Sequence, residues 1–274
     1  MSNPRRLKRL LSLPARVVMC GQGGLTALPE ASPVIPPPAA TRKAFALSPF
    51  YRKFIDSNGL PIVSSGRVPD AALHEAAWIV DRMLADRPDV RRALIRNRVR
   101  VAVMAASEKT TDIPEHSDLT PRDYWDGRAR GLGATAARPA VSCAEENLLN
   151  YPEDRYRNEN ILVHEFAHTF HEMGLNSVDE GFDARLQSTY RKAMRKGLWK
   201  GTYAATDHKE YWAEGAQSYF DTNDANNAVH NDVSNRERLA AYDPELFMLL
   251  EDEFRKSAWR YERYDRREAR KERK

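Results

Sequence analysis

The 274-residue chain is poor in cysteine, holding only Cys20 and Cys143. If the N-terminal segment is removed, Cys143 stands alone and no internal disulfide can form. Long apolar runs are also missing. The N-terminal stretch Leu10-Leu11-Ser12-Leu13 is interrupted by Pro14 and Arg16. It is too short for a membrane span, so no transmembrane segment is expected. A uniform charge is absent too. The net +4 and a pI of about 9.0 suggest a basic protein. Yet the first 20 residues carry +5 and residues 255–274 carry +6, which leaves residues 21–254 at −7. The folded body is therefore acidic, which argues against a nucleic-acid-binding body. The tail from Arg260 to Lys274 alternates bases with acids and reads as a solvated helix extension, so a nucleic-acid partner is not expected there either.

Seven of the 16 prolines fall in residues 1–40, including Pro36-Pro37-Pro38. Residues 1–41 accordingly read as a leader or linker without stable structure. The leader opens like a signal peptide, with Arg5-Arg6-Leu7-Lys8-Arg9 before its short apolar stretch. Val17-Val18-Met19-Cys20-Gly21 resembles a lipoprotein cleavage site, with Met19 where a small residue is usual. Export is the preferred location. With 42% hydrophobic residues, the remainder suffices for one core. The expected organisation is a single domain over residues 42–260 followed by a charged tail, 261–274. No internal repeat is present, and the sequence carries no signal for an oligomeric state.

The segment Ile161-Leu162-Val163-His164-Glu165-Phe166-Ala167-His168 contains His-Glu-x-x-His. On a helix, His164 and His168 are four residues apart and project from one face, where one zinc ion can take both imidazoles. Glu165 stands beside them, placed to accept a proton from an attacking water. Val163, Ala167 and Phe170, widened by Ile161, Leu162 and Phe166, give the helix an apolar stripe that would hold the histidines rigidly. His171 follows at i+3 from His168. It reads as a helix-surface histidine or as a residue facing the site, not as a ligand. Further on, from about Asp207, a second helix carries Glu210 and Glu214 at i, i+4. One of the two can bind the ion, and the other can accept a hydrogen bond from the free ring nitrogen of a liganding histidine.

These motifs resemble the gluzincin zinc metallopeptidases, most closely the catalytic domain of the anthrax lethal factor type. There a tyrosine stands seven residues before the glutamate ligand and a second glutamate four residues after it. Tyr203, Glu210 and Glu214 have that spacing. The resemblance covers about Glu159 to Asp221. It implies His164, His168 and Glu210 as ligands of one zinc per chain, Glu165 as general base and Tyr203 as stabiliser of the transition state. Glu214 is left to hydrogen-bond a liganding histidine, most readily His164. His208 is a secondary candidate for the task of Tyr203. The implied fold is α+β and zincin-like: mostly helical, with a small mixed sheet and an active-site helix carrying the motif.

The rest of the pattern fits such a fold. Helices are expected over Val68–Leu84, Pro88–Asn97, Asp179–Trp199, with Gly197 as its stop, and Pro244–Trp259. Arg98–Ala106 reads as a strand and Pro139–Glu145 as a second one. In the zincin architecture an edge strand ahead of the active-site helix pairs with extended substrate, and Pro139–Glu145 is in the position for it. The expected activity is hydrolysis of peptide or protein substrates. Two rivals are a zinc-binding module of the same fold without peptidase activity, and a nucleic-acid-associated protein acting through its basic ends.

Overall fold

The computed structural model describes residues 32–273. The leader's signal-like stretch and Cys20 lie outside the described residues. The chain is engaged from Ile35 on. Ile35 bridges Phe54, its amide donating to the Phe54 carbonyl at 3.1 Å, and α1 spans Ala39–Phe45. The expected leader boundary at residue 41 therefore falls inside a packed segment.

A hairpin follows, β1 (Lys53–Ser57) and β2 (Leu60–Ser64), which the sequence reading missed. Its turn is Asn58-Gly59 at φ 50° and 89°. Such a two-residue left-handed turn matches the twist of paired strands, and Asn-Gly is its usual sequence. Helices α2 (Asp70–Met83) and α3 (Pro88–Arg96) lead to β3 (Arg100–Met104). Helix α4 (Arg122–Arg128) precedes the two-residue strand β4 (Gly131–Leu132), and β5 (Ala140–Ala144) runs directly into α5 (Glu145–Leu148). The strand order is β1-β2-β3-β5-β4, with β2-β3-β5 parallel and both outer pairs antiparallel. The fold is thus α+β with a small mixed sheet.

The alternation of side chains along the strands builds the core. Leu60, Ile62, Val101, Val103, Val141 and Cys143 face the large core against the helices, whereas Val63, Ala102, Met104 and Ala144 face a smaller one closed by Phe45, Leu47 and Tyr51. The position of β5 corrects one expectation. Pro139–Glu145 does supply a strand, but it lies between β3 and β4, buried along its whole length, and the edge belongs to β4. A run without polar residues facing outward is what an interior, largely parallel strand requires.

Helix α6 (Ile161–Thr169) crosses β5 and passes into a π-helical turn, Phe170–Gly174. Helix α7 (Phe182–Arg195) begins three residues later than expected and stops ahead of Gly197, and α8 (His208–Tyr219) returns against α6. Helices α9 (Arg236–Tyr242) and α10 (Pro244–Glu253) close the far side of α8. The tail forms α11 (Tyr264–Lys271) and is not purely solvated. Its Arg267 pairs with the buried Glu75 of α2 and stacks 3.7 Å from the centroid of Trp78. No helix among the described residues is long and apolar enough to cross a membrane.

β4 approaches α6 through a residue without a side chain. A Cβ on Gly131 would lie 2.6 Å from Ile161 Cγ2 and 2.8 Å from the Ser142 carbonyl oxygen. The second of these is backbone and cannot yield. Gly131→Ala is expected to lower the urea midpoint by the equivalent of about 1–3 kcal/mol. An unchanged midpoint would mean that β4 does not pack this closely.

Candidate metal centre

Two helices carry the site, and each is anchored at its start. Asn160 caps α6, its Oδ1 accepting from the Val163 amide at 3.1 Å, while Asn147 Oδ1 takes the Ile161 amide at 2.8 Å. Asp207 caps α8 by accepting from the amides of Lys209 and Glu210. Such caps satisfy the free N–H groups of a first turn and fix where the helix begins. The helices are then tied together. Trp212 Nε1 donates to the Ala167 carbonyl at 2.9 Å, and Ile161, Leu162, Val163, Phe166 and Ala167 are all buried. The polar face of α6 has one direction left, and it faces α8.

There His164, His168 and Glu210 converge. His164 Nε2 lies 3.1 Å from Glu210 Oε2 and 3.1 Å from His168 Nε2, and His168 Nε2 lies 3.3 Å from Glu210 Oε2. Tetrahedral coordination at bond lengths of ~2.0–2.1 Å places neighbouring donor atoms ~3.3–3.4 Å apart. The three contacts therefore match one triangular face of such a polyhedron, with the fourth direction open to a cavity of about 600 Å³. The donor set of two imidazoles and one carboxylate suits zinc.

His164 Nδ1 is 2.8 Å from Gln217 Oε1 and 3.5 Å from Glu214 Oε1. The nearer partner is thus Gln217, which the sequence reading passed over in favour of Glu214. It stands seven residues after Glu210 on the same face of α8, so helical spacing was the available signal. Its amide oxygen can only accept, which keeps the proton of a neutral His164 on Nδ1 and leaves Nε2 free to ligate. Glu214 is buried, accepts from Asn223 Nδ2 at 3.1 Å and lies 3.3 Å from His230 Nε2.

Glu165 lines the cavity beside these three donor atoms, with Gly131 and Gly133 packed against its chain. Burial pushes its carboxyl pKa up, against the pull of the two imidazoles. Tyr203 donates its hydroxyl to Glu210 Oε1 at 3.0 Å and receives Arg128 Nη2 at 3.2 Å. Burial and the Glu210 carboxylate raise the tyrosine pKa, so the phenol stays protonated.

Two expected positions lie elsewhere. His208 is turned to Asp183, 3.2 Å from its Oδ1, and does not line the cavity, which removes it as an alternative to Tyr203. His171 is fully buried and 3.1 Å from the same oxygen, so it is neither a surface histidine nor a cavity residue. Burial lowers its pKa to about 4, leaving it neutral. The buried Cys143 thiol is likewise held well above its ordinary pKa by burial, which excludes it as a nucleophile. Arg128 had no signal in the sequence. It reaches the cavity from the end of α4, far from the motif in the chain.

No family model matches the chain, and no curated protein matches it. Among solved structures, the Pro-Pro endopeptidase PPEP-2 from Paenibacillus alvei is similar over 72% of this chain and 97% of its own, at 17% identity and a TM-score of 0.39. At that level the likeness decides neither fold nor activity.

Burial opposes a charged ring at His164, but the Glu210 hydrogen bond and the charges of Glu165, Glu214 and Glu210 overcome it and hold its pKa up to about 10. Below that pH the ring carries a proton in the metal-free protein. An ion requires the neutral ring, so binding near neutrality must displace that proton. Zinc affinity is therefore expected to rise with pH, by about tenfold per unit between pH 6 and 8, with a proton released on binding. Competition against a chelator, read by calorimetry in two buffers, measures both. Affinity independent of pH would contradict this charge balance.

Proposed function

We propose that the protein is a zinc metallopeptidase. The observation that supports this best is the triangle of His164 Nε2, His168 Nε2 and Glu210 Oε2, with edges of 3.1–3.3 Å, opening on a cavity that Glu165 also lines. In this reading His164, His168 and Glu210 hold one zinc per chain. When bound, the ion supplies Lewis acidity toward a carbonyl and makes water acidic enough to attack near neutral pH, its pKa falling to ~7.

The chain's own groups do the rest. Glu165, not itself a ligand, takes the proton of the attacking water and passes it to the departing amine. Burial raises its carboxyl pKa, which makes it a stronger base than a solvated carboxylate. Tyr203 donates a hydrogen bond to the scissile carbonyl oxygen as negative charge builds there. For that it must release Glu210 Oε1, which its hydroxyl contacts at rest. Gln217, with Glu214 behind it, holds His164 in the ligating tautomer.

The substrate is an extended peptide. Leu132 and Gly133 line the cavity, and β4 is the edge of the sheet, pairing with β5 on one side only. An edge strand there can add a peptide by backbone hydrogen bonds and carry it across the ligand triangle. The Ala134 amide donates to Thr169 Oγ1 at 2.9 Å, and the same hydroxyl donates to the Glu165 carbonyl at 2.9 Å, so the chain just past β4 is fixed to the helix that bears the base.

The test is a peptide-library cleavage profile of the wild type and Glu165→Gln, with zinc content measured on both. The wild type is expected to cleave. Glu165→Gln is expected to keep its zinc and to lose about 100-fold or more in kcat. Equal rates would remove Glu165 as the base, and a zinc-loaded wild type without any cleavage would remove the peptidase reading.

A further inference from the structure

Arg128 is exposed, yet it is a placed residue. It ends α4, a helix without a buried residue of its own, and the carbonyls at that end are held from outside. Arg155 donates to the Gly127 carbonyl at 2.6 Å and to the Arg128 carbonyl at 2.9 Å, and the Tyr156 hydroxyl donates to the Arg128 carbonyl at 2.8 Å. Three charged or polar donors thus fix the backbone from which the side chain springs. The guanidinium forms no ion pair among the described residues. It spends a hydrogen bond, at 3.2 Å, on the hydroxyl oxygen of Tyr203.

A phenol oxygen can accept from one group while its proton points to another. At rest the Tyr203 proton points to Glu210 Oε1. In the reaction proposed above it must swing about the C–O bond to the carbonyl oxygen of the substrate. A donor bound to the oxygen itself holds that atom still while the proton changes partner. The Arg128 contact survives the swing, whereas the contact with Glu210 does not.

We infer that Arg128 is the positioning residue for Tyr203, holding the hydroxyl oxygen through the transfer of its hydrogen bond from Glu210 to the substrate oxyanion. This rests on the peptidase reading. It assigns Arg128 to the transition state and not to substrate binding.

A double-mutant cycle tests it, using the full-length zinc-loaded protein and one peptide that the wild type cleaves. Arg128→Ala should lower kcat about tenfold or more, with KM changed less than about twofold and zinc content unchanged. Arg128→Lys, which keeps a cationic donor, should recover part of the loss. In the Tyr203→Phe background, where there is no hydroxyl to hold, Arg128→Ala should change kcat less than about twofold. A phosphinic peptide of the same sequence, which mimics the tetrahedral state, should bind Arg128→Ala more weakly by a factor close to the kcat loss. Additive effects of the two substitutions, an effect confined to KM, or no effect of Arg128→Ala would each overturn the assignment. If the wild type cleaves and Glu165→Gln does not, those outcomes count against Arg128 alone. If the wild type cleaves nothing, the peptidase reading itself has failed.

Discussion

Glu165, Glu210 and Glu214 share one largely buried space with His164 and His168, and the charge of those three carboxylates is the constraint on which the rest depends. Burying an uncompensated charge costs far more than any single contact returns. The metal-free structure answers with a protonated His164, raised to about 10 by the surrounding acids, and with Glu210 held well below the ordinary carboxylate range by its two imidazole partners against the effect of burial. A divalent cation at that triangle would replace the balance with a stronger one, driving the proton off His164 and holding Glu210 ionised still more firmly. The cluster is a site built for positive charge.

Holding such a cluster requires rigid walls, and the packing supplies them. Trp212 of α8 fastens to α6 through the Ala167 carbonyl, and stacks on Phe254 at 5.7 Å between ring centroids. Gln217 Nε2 reaches the Asn160 carbonyl at 3.4 Å while its oxygen meets His164, so one side chain joins the helix start to that imidazole. The sheet then carries β4 to the opposite wall, where the absence of a Cβ at Gly131 and Gly133 lets the strand lie directly on Glu165 and His168. Distances of a few tenths of an ångström in the ligand set therefore trace back to caps, core aromatics and two glycines.

Much of this was legible because local rules and tertiary packing agree. The His-Glu-x-x-His helix has a stripe that is buried as its spacing requires, and Asp207 caps the helix that presents Glu210. The helices over Asp70–Met83 and Phe182–Arg195 lie within a few residues of where periodicity placed them. The place of Tyr203 beside Glu210 in the site was not visible in periodicity: only the family resemblance implied a role for it, and the hydrogen bond between the two was not foreseen. What escaped was set by long-range contacts. Ala140–Ala144 reads equally well as an edge or an interior strand, and only the pairing of Gly131–Leu132 decides. A two-residue strand has no periodicity to read. Arg128 is an arginine in a polar helix until Arg155 and Tyr156 fix it over the cavity, and His208 is attractive by position until Asp183 takes it. The hairpin is a different case, since Asn58-Gly59 between apolar runs is a local turn signal that needs no long-range contact to be legible.

The account turns on what occupies the triangle of His164, His168 and Glu210, and X-ray absorption at the zinc edge on the purified full-length protein reads this directly. The expected result is a first shell of nitrogen and oxygen at ~2.0–2.2 Å, with outer-shell scattering from two imidazoles. A sulfur shell near ~2.3 Å, a shell of oxygen alone, or protein purified without chelators that carries no zinc would contradict it.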